Sequence, residues 1–208
     1  TWNTMRALAW IACGVLAGFL LGGVGPRREL VSTRTQIAEL EQKLAKSGGG
    51  GWNKAGHHAL YPTTDVEVWR LPPRVLRWFN RALRRRVLPA LARSFPVFDP
   101  CEAWTADAFV VKYNATAGQS FLKPHRDGSV VSFNIALNDM SEYEGGGTWI
   151  ARLAKDDPPG SIRSDRGHVL AHASGMLHGG HGVESGVRYI LVCFVILKNF
   201  ANFATRFY

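Results

Sequence analysis

His125 and Asp127 stand two residues apart in the run Pro124-His-Arg-Asp127, between the strand-like stretches 109–113 and 130–137. On an extended strand, residues i and i+2 point to the same face. Imidazole and carboxylate therefore project together and can share one metal ion. A His-x-Asp pair is common by itself, so a metal centre needs a third donor from elsewhere in the chain. The C-terminal part offers His168, His172, His178 and His181.

Two imidazoles and a carboxylate on one side of an ion leave the opposite positions open, which is the facial arrangement of non-haem iron oxygenases. If 2-oxoglutarate occupied two of those positions, its far carboxylate would need a cation deep in the fold. Arg188 meets that need. It precedes the apolar run Tyr189–Val195 and so begins a buried strand. An arginine there requires an anion, because burying a bare charge is costly. Guanidinium also grips a carboxylate through two parallel hydrogen bonds, which an ammonium cannot do. Tyr113 is a candidate hydrogen-bond partner of 2-oxoglutarate, or else a packed strand tyrosine. His172 reads as a satisfied core histidine, and Trp104 and Trp149 read as core aromatics.

These groups must be placed by β-structure. The texture from Ala108 onward is that of short strands at 109–113, 130–137, 148–151, 168–171 and 187–197, separated by glycine and Asp-Pro-Pro-Gly clusters. Upstream, Pro72 and Pro73 open a helix. Leu76, Phe79, Leu83, Val87 and Leu91 recur at helical spacing and form its apolar face, and Pro89 is expected to kink or divide it. Strands following a helix predict a mainly β, α+β domain, a double-stranded β-helix or jelly roll backed by helices.

The +9 net charge is concentrated in one arginine run, Arg74, Arg77, Arg81, Arg84, Arg85, Arg86 and Arg93. Such a face attracts phosphates, acidic peptides or anionic lipid, or is simply solvated. It carries no nucleic-acid motif, and nucleic acid is not an expected partner. Three cysteines are too few for a disulfide scaffold, although a Cys101–Cys193 bridge is open to an oxidising compartment. The uncharged stretch 7–25 is close to the ~20 residues that cross a bilayer as a helix. It predicts a signal-anchor over 1–26, with a cleaved signal peptide as the rival. Residues 27–51 then read as an amphipathic stem and glycine linker that could pair copies of the chain, and 52–208 as the catalytic domain. His57 and His58 read as exposed loop residues. Asn114-Ala-Thr116 is an N-glycosylation acceptor pattern.

Several motifs in one order resemble a known family. They are Val110-Val-Lys-Tyr-Asn114, Gln119 with Leu122, Pro124-His-Arg-Asp127, Ser132-Phe-Asn-Ile-Ala-Leu-Asn138, Tyr143-Glu-Gly-Gly-Gly-Thr148, His178-Gly-Gly180 and Ser185-Gly-Val-Arg-Tyr189. Together they resemble the Fe(II)/2-oxoglutarate dioxygenase domain of the procollagen lysyl hydroxylase and prolyl 4-hydroxylase type. The resemblance implies His125, Asp127 and His178 as the iron ligands, since the family's distal histidine lies ten residues before the basic residue that holds 2-oxoglutarate. His181 lacks that spacing. It further implies Arg188 and Asn134 as contacts to 2-oxoglutarate, although Asn134 could instead be a core amide satisfied by backbone. The implied cofactors are Fe(2+), 2-oxoglutarate, O2 and ascorbate. The implied reaction hydroxylates a lysine or proline side chain of a protein or peptide substrate while 2-oxoglutarate becomes succinate. Two alternatives stand beside it, the same chemistry on a small-molecule or lipid-linked substrate and a non-catalytic metal-binding jelly roll. The family's Gly-Leu-Pro-x-Thr is replaced here by Gly180-His-Gly-Val-Glu184, which alters the loop beside the site. The expected location is a single-pass membrane position, in the endoplasmic reticulum or Golgi of a eukaryote.

Overall fold

Strand β10, Val183–Leu197, is the longest element among the described residues and the centre of the large sheet. Its run of β-branched and aromatic residues suits a strand covered on both faces. The computed structural model describes residues 52–54, 60–95, 99–151 and 161–198. The expected anchor at 7–25, the stem and linker at 27–51, Cys13, His57 and His58 lie outside them. Among the described residues, no helix is long and apolar enough to cross a membrane.

The strands are β1 (Asn53–Lys54), β2 (Thr64–Glu67), β3 (Ala103–Asn114), β4 (Leu122–His125), β5 (Val131–Ala136), β6 (Tyr143–Gly145), β7 (Thr148–Ile150), β8 (Val169–Ala173), β9 (His178–Gly180) and β10. They form a seven-stranded sheet in the order β1-β2-β3-β10-β5-β8, with β6 added to β10, and a three-stranded sheet β4-β9-β7. Every pairing is antiparallel. The mainly β jelly-roll expectation holds.

Alternation gives the large sheet two different faces. Val110, Val131, Phe133, Ile135, Leu191, Cys193 and Val195 pack beneath the helices in one cluster. Their neighbours Phe109, Val111, Tyr113 and Ile190 belong to a second cluster on the other side. The helical layer comprises α1 (Pro73–Ala82) and α2 (Leu88–Ser94). Phe79, Leu83, Val87 and Leu91 are buried as the spacing required.

The helix is divided ahead of Pro89, as expected, without leaving the layer. A wide turn, Leu83–Val87, joins α1 to α2, and Leu88 N–H reaches back five residues to Leu83 O. Proline lacks an N–H and its ring crowds the carbonyl four residues earlier, so widening the preceding turn relieves the clash. Leu83 and Val87 stay buried while Arg84, Arg85 and Arg86 all face solvent.

Two expectations need correction or completion. Trp104 is not a core aromatic but is 50% exposed. A bulge near Phe194 shifts the β3–β10 register, so Trp104 pairs with Ile196 on an uncovered end of the strand. Cys101 is an exposed free thiol and Cys193 a buried one, so the bridge considered above does not form.

Candidate metal centre

Strands β4 and β9 of the small sheet lie side by side, with His125 on β4 directly opposite His178 on β9. Their ring centroids are 4.3 Å apart. Asp127 lies just past the end of β4, where its N–H donates to Ser174 O at 3.0 Å. That bond turns the carboxylate back between the rings. His125 Nε2 is 3.3 Å from Asp127 Oδ1, and His178 Nε2 is 3.5 Å from Asp127 Oδ2. One donor atom from each of the three residues falls within 4.8 Å of the others.

The far ring nitrogens are already occupied. Nδ1 of His125 meets Lys123 O at 3.0 Å, and Nδ1 of His178 meets Met176 O at 3.0 Å. Such backbone contacts fix the tautomer and leave each Nε2 lone pair for an ion. Two imidazoles and a carboxylate of this kind fit Fe(2+).

The side chains titrate unequally. Burial pushes the Asp127 carboxyl up, but its hydrogen bond with His125, the His178 charge and the Ser132 hydroxyl outweigh that and hold it below its ordinary value. Burial pushes His125 down, but bonds to Asp127 and Lys123 O leave it raised overall. His178 falls to about 4, through burial first and then the neighbouring His172. A neutral His178 and an ionised Asp127 are the forms a metal needs.

A cavity of about 330 Å³ opens in front of these groups, lined among others by Tyr61, Phe109, Asn134, His172, Arg188 and Phe194. Arg188 is 4% exposed at its floor. Its Nη1–H donates to Gly147 O at 3.1 Å and its Nη2–H to the Thr148 hydroxyl at 3.4 Å. Both acceptors are neutral, and Arg188 forms no salt bridge among the described residues. A buried guanidinium in that condition is a seat for an anion.

The surrounding residues build this seat. Gly145, Gly146 and Gly147 all have positive φ, so the turn between β6 and β7 requires glycine. A Cβ on Gly146 would sit 3.2 Å from the Arg188 side chain. This run is therefore a tight glycine turn that supports Arg188. Asn134 donates to Thr148 Oγ1 at 3.5 Å, which joins it to Arg188 through one hydroxyl. Tyr113 is buried, with the guanidinium 5.5 Å from its ring centroid. Burial raises its hydroxyl pKa, and Arg188 only partly offsets that.

Sequence reasoning missed several residues. Asn138 accepts from Tyr189 N–H at 2.9 Å and donates to Val187 O at 2.8 Å, gripping the backbone on both sides of Arg188. Its place directly after the apolar run Ile135-Ala-Leu137, at the end of the Ser132–Asn138 motif, was the available signal. Thr148 closed the Tyr143–Thr148 motif but had no role assigned to it. His172 is 2% exposed, yet its ring lies 4.1 Å from that of His178 and it lines the cavity. Its Nδ1 meets Ala173 O at 3.1 Å. It is thus a histidine of the cavity wall as well as of the core. His168 is held by Asp165 O away from the three donors, and His181 is exposed outside them.

A two-layered antiparallel β-fold with a His-Asp-His cluster and a buried arginine in one cavity defines a metal-dependent oxygenase-like domain. No family model matches the chain. Human procollagen-lysine,2-oxoglutarate 5-dioxygenase 2 is 41% identical over 165 residues, covering 76% of this chain and 21% of that protein. The human multifunctional procollagen lysine hydroxylase and glycosyltransferase LH3 is 33% identical over 164 residues, with the same coverage. The chain thus spans about a fifth of the length of these curated relatives. Among solved structures, AviO1 from Streptomyces viridochromogenes Tue57 superposes with TM-score 0.58 at 16% identity, covering 85% of this chain and 88% of that one. The viral collagen prolyl hydroxylase vCPH from Paramecium Bursaria Chlorella virus-1, in its 2OG complex, gives TM-score 0.51 at 16% identity, covering 80% and 90%. The chain carries an Fe(II)/2-oxoglutarate-dependent dioxygenase domain of the procollagen hydroxylase type.

Proposed function

We propose that this chain hydroxylates a lysine or proline side chain of a protein or peptide substrate, with conversion of 2-oxoglutarate and O2 to succinate and CO2. The observation that carries the reading is a buried Arg188 with only neutral partners, set in the same cavity as His125, Asp127 and His178. Each half of the site needs what the other half implies. The three donors suit an open-faced Fe(2+), and the guanidinium suits the far carboxylate of 2-oxoglutarate.

In this reading His125, Asp127 and His178 hold the metal on one side and leave the cavity side open. Bound iron supplies the activation of O2 that amino-acid side chains cannot supply. Arg188 fixes one end of 2-oxoglutarate, and Thr148 with Asn138 fixes Arg188. Asn134 and Tyr113 flank the co-substrate. The apolar wall of Phe109, Val111, Ile190, Val192 and Phe194 keeps water from the reacting face. Ascorbate serves to keep the iron reduced. The relatives named for acting on procollagen lysine support a protein substrate. Residues 52–208 form the catalytic unit, carried on an anchor at 7–25 in the endoplasmic reticulum or Golgi membrane, and the stem at 27–51 pairs copies of the chain.

The test is succinate formation by the protein with Fe(2+), 2-oxoglutarate and ascorbate over a mixed peptide library, with mass spectrometry for a gain of one oxygen. His178→Ala and His181→Ala run in parallel. Turnover that stops with His178→Ala and survives His181→Ala is the expected result. The opposite pattern refutes the ligand choice. Uncoupled succinate formation without any modified peptide would move the substrate to a small molecule.

A further inference from the structure

The helical layer carries a surface that the proposed reaction does not use. Arg77, Arg81, Arg84, Arg85 and Arg86 are all exposed, and none makes a hydrogen bond or ion pair among the described residues. No Asp or Glu occurs between Glu67 and Asp99 to neutralise them. The wide turn at Leu83–Val87 matters here. It keeps Leu83 and Val87 on the core while three consecutive arginines pass through the solvent side. Trp78 is 54% exposed, and Arg81 lies beside it three residues on.

A large indole among unpaired guanidiniums is the chemistry of a bilayer interface, where the ring sits at headgroup level and the arginines meet phosphate and carboxylate. A merely solvated helix has no need of an exposed tryptophan there. The face also lies on the helical side of the large sheet, opposite the cavity. Occupying it leaves the cavity face of that sheet free. Finally, only 26 residues separate the uncharged stretch ending at Gly25 from Trp52. Fully extended, they reach about 90 Å at most, which confines a tethered domain to the neighbourhood of the bilayer.

We infer that the Arg77–Arg86 face with Trp78 docks the domain on an anionic lipid surface. The choice of lipid over another polyanion rests on the anchor reading of 7–25, whereas the polyanion-binding face rests on the described helices alone.

The experiment is arginine modification by phenylglyoxal on the full chain, mapped by mass spectrometry. It is run without vesicles, with zwitterionic phosphatidylcholine vesicles, with phosphatidylcholine vesicles containing phosphatidylserine, and with a mixed-sequence RNA oligonucleotide. The expected result is protection of Arg81, Arg84, Arg85 and Arg86 by the anionic vesicles alone, about fivefold or more, the factor matching the attraction of one basic side chain to such a surface. Raising the salt should reverse it. Equal modification on both vesicle types overturns the inference. Stronger protection by RNA than by phosphatidylserine reassigns the face to nucleic acid and overturns it too. Slow modification without any vesicle means that another part of this chain covers the face, which also overturns it. Flotation with the zwitterionic vesicles reports the anchor separately, so failure of the tether and failure of the face are distinguishable.

Discussion

Gly179→Ala isolates what holds the two candidate histidine ligands at their spacing. Gly179 follows His178 on β9 and faces β4. A Cβ built there would lie 2.7 Å from Leu122 O, and 3.3 Å from Lys123 C and from Pro124 N. All three are backbone atoms, which cannot swing aside as a long side chain can. Ordinary contact begins near 3.4 Å, so β4 must retreat by roughly 0.7 Å. His125 is the last residue of that strand and sits opposite His178. Metal–ligand distances tolerate only about 0.2 Å, so a shift of this size removes His125 from good coordination. The expected loss of metal affinity is about 10- to 100-fold, with an overpacking cost of ~1–3 kcal/mol in stability. Anaerobic titration with Co(2+), followed by absorbance, measures the first, and chemical denaturation measures the second. Gly175→Ala is the control, since a Cβ there meets nothing within 4 Å. A folded Gly179→Ala protein that binds Co(2+) as tightly as the parent would refute the argument.

Arg188→Lys keeps the charge but loses the fork, so 2-oxoglutarate affinity of the metal-loaded protein should fall about tenfold or more, read by titration of the co-substrate. Asn138→Ala removes two hydrogen bonds that bracket Arg188, and denaturation should show a loss of about 2 kcal/mol, at ~1 kcal/mol for each bond. Burial pushes the Cys193 thiol up to about 12, with a smaller opposing effect from Thr105. A thiol reagent at mildly alkaline pH should therefore label Cys101 in the native protein and reach Cys193 only after denaturation, as peptide mapping would show.

Short-range order made part of this site legible. His125 and Asp127 stand only two residues apart, and the sequence alternates Ser132 and Asn134 with Val131, Phe133 and Ile135. The apolar stripe from Leu76 to Leu91 placed the helical layer. The rest depends on which strands meet. Thr148, on the small sheet, joins Asn134 and Arg188 of the large one, a role that its place at the end of the Tyr143–Thr148 motif does not reveal. His172 joins the cavity wall because β8 pairs with β5 and brings it opposite Ser132. Trp104 follows the wrong face because a single bulge reverses the alternation. Pro89 was expected to kink or divide the helix, and it divides it by widening the turn before it, a form the sequence pattern does not specify.

The position of β10 has a consequence for how the molecule is made. In the large sheet it is the strand that joins β1-β2-β3 to β5-β8. Both of its neighbours are synthesised earlier, and until Val183–Leu197 leaves the ribosome each presents an open edge and an uncovered apolar face. The nascent chain therefore carries two half-sheets that cannot close on each other. Arg188 and the wall of the cavity arrive with the same strand, so closure of the core and completion of the site become a single late event. A cell producing this protein must shield those edges during that interval, and a chain interrupted before Val183 is a substrate for quality control rather than a partly active enzyme.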